Sequence, residues 1–87
     1  MDAYRSPFEV RRHDRGLTLT NRGPEALGWV RLIAHGDGVA VARPIRRLSA
    51  GASIDVELHG DGLSRRTLLV VQWLRHDGET YLTSIAL

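Results

Sequence analysis

The sequence contains no cysteine and no lysine, only five aromatic residues, and no apolar run of membrane-spanning length. Each absence excludes something. Without cysteine there is no disulfide to brace the fold, no thiolate nucleophile and no zinc–sulfur centre. The longest apolar stretch, Thr67 to Trp73, is broken by Gln72 and falls far short of the ~20 residues that cross a bilayer. Met1-Asp2-Ala3-Tyr4-Arg5 has neither the basic start nor the apolar centre of a secretory signal, so a cytoplasmic location is expected. All twelve cationic side chains are arginine, yet ten carboxylates leave a formal charge of only +2, too little to name a partner class.

Eighty-seven residues make one domain, and a chain this short must pack its core efficiently. Residues 1–6 read as a flexible N-terminus and 7–87 as a single folded unit. Helical periodicity is missing, and turn signals recur about every 8–12 residues, the pattern of an all-β chain. The expected strands are Phe8–His13, Leu17–Thr20, Ala26–His35, Val39–Ala42, Ser53–His59, Arg66–Arg75 and Thr80–Leu87. Asn21-Arg22-Gly23-Pro24-Glu25 is loop chemistry, and Pro44 ends or edges the fourth strand because it has no N–H for a ladder. Ile45 to Gly51 reads as a crossing segment whose Leu48 plugs the core. In Ser53–His59, Ile54, Val56 and Leu58 point inward, with Asp55 and Glu57 in water. The fold class that follows is an antiparallel two-layer β-sandwich of about seven strands.

The last two strands flank Asp77-Gly78, the strongest two-residue hairpin signal. With that turn, Leu74 faces Tyr81, Trp73 faces Leu82, Val71 faces Ser84 and Val70 faces Ile85. One face then holds Leu69, Val71, Trp73, Leu82 and Ala86. The other holds Leu68, Val70, Leu74, Tyr81, Ile85 and Leu87. A two-layer sandwich buries only one face, so the second set is the expected protein interface. The strand ending on Ile85-Ala86-Leu87 is also an edge on which a second copy can pair, giving a homodimer. Trp29 and Trp73, on central strands, are expected in the core.

Three segments resemble the immunoglobulin-like and fibronectin-type-III-like sandwiches of bacteria. They are Leu17-Thr18-Leu19-Thr20-Asn21-Arg22-Gly23, then Leu48-Ser49-Ala50-Gly51-Ala52-Ser53, then Val71-Gln72-Trp73 followed by Gly78 and Tyr81. The cysteine pair of antibody domains is not there. The resemblance implies an immunoglobulin-like sandwich used for binding or scaffolding, and names no ligand.

Other chemistry has less to stand on. His35-Gly36-Asp37-Gly38 repeats as His59-Gly60-Asp61-Gly62, with a variant at His13-Asp14-Arg15-Gly16. If these turns share one end of the sandwich, His13, His35, His59, Asp37 and Asp61 can offer nitrogen and oxygen to Zn²⁺ or Ca²⁺. The plainer reading is turn chemistry, in which glycine supplies positive φ and aspartate bonds its own backbone. No cofactor is expected.

Ser6, Ser49, Ser53, Ser64 and Ser84 lie in no nucleophile elbow, so the chain is not expected to be an enzyme. Arg11-Arg12, Arg46-Arg47 and Arg65-Arg66 suit phosphate contact. A single-strand binder interleaves such charges with exposed aromatics, and five aromatics must here also supply the core. The leading expectation is an interaction module docking a protein partner or a second copy. The alternatives are a nucleic-acid binder and a metal-dependent module.

Overall fold

The computed structural model describes residues 6–36, 39–41, 44–59 and 68–86. Residues 1–5, Asp37, Asp61, Arg65, Arg66 and Leu87, named above, lie outside the described residues. The strands are β1 (Phe8–His13), β2 (Gly16–Asn21), β3 (Leu27–His35), β4 (Val39–Val41), β5 (Ile45–Leu48), β6 (Ser53–His59), β7 (Leu68–Leu74) and β8 (Thr80–Ala86). They form two antiparallel sheets, ordered β1-β2-β6-β4 and β5-β3-β7-β8, so the chain is an all-β sandwich. No helix among the described residues is long and apolar enough to cross a membrane.

Strict alternation does most of the building. In β2, Leu17, Leu19 and Asn21 are buried and Thr18 and Thr20 are not; in β6, Ile54 and Val56 are buried while Asp55 and Glu57 are exposed. Leu69, Val71 and Trp73 of β7 face them, with Leu27 and Val30 of β3 completing the centre. Trp73 meets Phe8 edge-on at 5.2 Å between ring centroids and lies nearly parallel to Tyr81 at 6.2 Å. The segment expected to cross between sheets is partly a strand, since Ile45–Leu48 pairs with β3 and the turn is confined to the residues after it. Leu48 does fill the core, at 3% exposure.

Asn21 is the one buried polar side chain among the described residues. Its Nδ2 donates to the carbonyls of Glu25 (2.9 Å) and Leu48 (3.1 Å), and its Oδ1 accepts from the N–H of Gly23 (3.0 Å). Its backbone exchanges hydrogen bonds with Ala52 and Gly51. The segment read as loop is therefore pinned to β5 by one side-chain amide and to the turn before β6 by the backbone of the same residue.

Gly16 answers a steric demand. A Cβ there would stand 1.8 Å from the carbonyl oxygen of Val56, so only glycine lets β2 meet β6 at that row.

The final hairpin corrects the expected register. Arg75 N–H donates to Glu79 O and Gly78 N–H to Arg75 O, both at 3.0 Å, and Gly78 sits at φ +84°. The loop is thus the three residues His76-Asp77-Gly78, a tight turn closed by a left-handed glycine. Asp77 Oδ1 supports it by accepting from the N–H of Glu79 at 2.9 Å. The pairs are Leu74 with Thr80, Trp73 with Tyr81, Val70 with Ser84 and Leu69 with Ile85. One residue of shift exchanges the faces of a strand. Tyr81 and Ile85, expected on the outer face, pack against the core, and Leu82 and Ala86, expected inside, are exposed.

Candidate protein-interaction face

The two outer faces of the sandwich differ in kind. Across β1-β2-β6 the outward rows read Glu9–Thr20–Ser53, Arg11–Thr18–Asp55 and His13–Gly16–Glu57. These residues bond one another: Thr18 donates to Asp55 at 2.8 Å, and the Thr20 and Ser53 hydroxyls are 2.8 Å apart. Arg22 reaches Glu9 at 2.7 Å, and that hydrogen bond with its charge holds the Glu9 carboxyl below its ordinary range. This is a solvated, internally paired surface.

The outward rows of β3-β7-β8 read His35–Leu68–Ala86, Ile33–Val70–Ser84 and Arg31–Gln72–Leu82. A last row, Arg47–Gly28–Leu74–Thr80, takes in β5. Ile33, Leu68 and Leu82 stand 40%, 39% and 66% exposed. Along β7 and β8 the face is mostly apolar, while β5 and β3 add Arg47 and Arg31 to it beside Ile33. No carboxylate occurs in any of the four rows.

Trp29 stands beside this face, at the β3–β5 edge. The β3–β7 register slips between Gly28 and Arg31, a β-bulge, and Trp29 within it adopts φ +45°. A positive φ is strained for a bulky side chain. The tryptophan is 52% exposed, with the Arg46 guanidinium 5.3 Å above its ring. The bulge therefore overturns the expectation that both tryptophans fill the core. Only Trp73 does.

Beyond Leu74 the face runs into a groove lined by Glu25, Gly28, Arg46, Arg47, Arg75 and His76 among others. Glu25 accepts from Arg75 Nε at 2.6 Å and is also bridged by His76 Nδ1. The hydrogen bond from Arg75, aided by that from His76, outweighs partial desolvation and lowers the Glu25 pKa. The Arg75 guanidinium also lies over the Tyr81 ring at 5.1 Å, and the Tyr81 hydroxyl donates to Asp77 at 3.2 Å. Asp77 is held below its usual range, chiefly by the backbone N–H of Glu79. These links tie β8 and its turn to the loop before β3.

Of the interface residues expected from sequence, Leu68, Val70 and Leu74 lie on the outer face. Tyr81 and Ile85 do not, and Leu87 is outside the described residues. Leu82, Ala86 and Ile33 take their place, with Trp29 beside them. Counting the turn as three residues would have found Leu82 and Ala86.

The two arginine doublets among the described residues, Arg11-Arg12 and Arg46-Arg47, lie on different sheets. Arg11 is on the polar sheet, and Arg12 reaches across the sandwich to donate to Ala86 O at 2.6 Å. Arg46 covers Trp29, Arg47 joins the basic edge, and Arg65 and Arg66 are outside the described residues.

His13, His35 and His59 close three different strands. His13 and His59 end strands of one sheet and His35 a strand of the other, and His59 contacts Glu57 at 3.4 Å. No group of three metal-ligating residues exists among the described residues; Asp37 and Asp61 are not among them. No known protein family, curated protein or solved structure matches the chain.

Proposed function

We propose that this chain is a non-enzymatic interaction module that docks a protein partner on the outer face of the sheet β5-β3-β7-β8. One observation carries the proposal. Ile33, Leu68 and Leu82, large apolar side chains left exposed, lie on that face, and the outward rows described across β1, β2 and β6 hold none. A contiguous apolar patch on one side of a small domain marks an interaction surface, and a rigid sheet holds it without ordering cost. The strained, exposed Trp29 at its edge suits an aromatic anchor.

The strand order supports an immunoglobulin-like, fibronectin-type-III-like form of the sandwich. β1, β2 and β6 make one sheet and β3, β7 and β8 the other. The short strands β4 and β5 divide between them the place of the single strand that follows the third.

A partner is preferred to a second copy. Face-to-face packing of two copies would bring arginines together with no carboxylate to meet them. Pairing along β8 would compete with Arg12, which already occupies the carbonyl of Ala86.

The test is retention of binding proteins on immobilised wild type, Leu82→Asp and Arg11→Ala. A partner held by wild type and Arg11→Ala, and lost by Leu82→Asp, is the expected result. Equal retention by all three would remove this face as the docking surface.

A further inference from the structure

We infer that the surface this face takes is acidic as well as apolar: a protein segment alternating carboxylates with aliphatic side chains. The inference rests on the docking face proposed above and adds its charge. Arg31 and Arg47 lie in the outward rows, and Arg46 stands over Trp29. None of the three is bridged by a carboxylate among the described residues, whereas Arg22 and Arg75 are. The carboxylates of the described strands, Glu9, Asp55 and Glu57, all lie on the opposite sheet or its edge. A basic strip therefore runs beside the apolar one, both displayed on the same side of the domain. Cations that no described carboxylate neutralises, flanking an apolar patch, reject a basic partner and attract an acidic one, because like charges brought together across an interface are costly.

Nucleic acid shares the negative charge but fits the surface less well. Bases bind such faces by stacking on aromatic rings, and Ile33, Leu68 and Leu82 have no ring. Trp29 offers one exposed ring beside the face, whereas successive bases need a series of them.

The probes are a short synthetic peptide of leucine and glutamate, its counterpart with lysine for every glutamate, and single-stranded oligothymidine. Each is titrated into ¹⁵N-labelled protein while amide shifts are followed. The glutamate peptide should bind at least about tenfold more tightly than the lysine peptide, with shifts centred on Ile33, Gln72 and Leu82. Arg31→Glu combined with Arg47→Glu should reverse that order. Both arginines are exposed and bridged by no carboxylate among the described residues, so the variant keeps the wild-type circular dichroism.

Equal binding of the two peptides at these residues leaves the docking face standing and overturns its acidic preference. Absence of glutamate-peptide binding overturns the acidic preference too, and the Leu82→Asp comparison then decides the face separately. Oligothymidine binding in place of the peptide, or dimerisation through the same residues, overturns the inference in favour of that occupant.

Discussion

Replacing Asn21 by alanine gives the sharpest test of how the sandwich is held together. The side chain is wholly buried and makes three hydrogen bonds, two to carbonyls and one from an amide. Each such bond contributes about 1 kcal/mol net, and a buried acceptor left without a donor costs about 1–3 kcal/mol. The Leu48 carbonyl is such an acceptor, because its bond to Asn21 lies inside the core. The Glu25 carbonyl and Gly23 N–H are only partly buried and recover some hydration.

The sum is a loss of about 3 kcal/mol for Asn21→Ala. A domain of this size has roughly 4–13 kcal/mol in total. The assay is equilibrium unfolding in urea, followed by the fluorescence of the buried Trp73. With a slope a little above ~1 kcal/mol/M, the midpoint should fall by about 2–3 M. Asn21→Asp should be no better, since a carboxylate would face the same two carbonyl oxygens. A loss under about 1 kcal/mol for Asn21→Ala would refute the reasoning, because it would mean water replaces the amide at no cost.

Three further outcomes follow from the packing and the charges. Gly16→Ala should destabilise by at least about 2–3 kcal/mol, seen as a lower urea midpoint, because the added methyl would meet the Val56 carbonyl; an unchanged midpoint would show that β2 and β6 part easily. Trp29→Gly should leave stability unchanged or raise it by about 1 kcal/mol, since relief of the positive φ offsets the lost stacking of Arg46; partner binding should weaken. A clear fall in melting temperature would instead make Trp29 a packing residue.

Acid should weaken the fold in part through Glu25. Its folded pKa is depressed below 4.5, so its contribution is complete above that value and is lost as pH falls through the folded pKa. Glu9 and Asp77 carry the same sign. Glu25→Gln should therefore show a shallower loss of stability on acidification, and curves parallel to wild type would contradict the role of the Arg75 and His76 bonds.

Much of the fold is legible in the residues themselves. Ile54, Val56 and Leu58 alternate with Asp55 and Glu57 so cleanly that their faces need no other information, and Leu48 is inward as its isolation among polar residues suggests. What escapes are places where the count changes by one. Trp29 looks like a core tryptophan until the bulge between Gly28 and Arg31 turns it outward, and nothing in Gly28-Trp29-Val30 signals that bulge. Asn21 reads as a loop residue because polar identity is visible and burial is not. Ile45–Leu48 is too short for periodicity to separate a strand from a crossing segment.

The three-residue turn at His76-Asp77-Gly78 has a consequence for how such a domain can change over time. Deleting or inserting a single residue there would leave β7 in place and rotate the allegiance of every side chain in β8. Tyr81, Thr83 and Ile85 would be displayed, and Leu82, Ser84 and Ala86 would be enclosed. One in-frame lesion of three nucleotides would thus rewrite the whole β8 strip of the exposed face, something point substitutions reach only by many steps. The length of this loop is accordingly a heritable setting of surface identity, and chains sharing the fold but differing there by one residue should be assumed to present different surfaces.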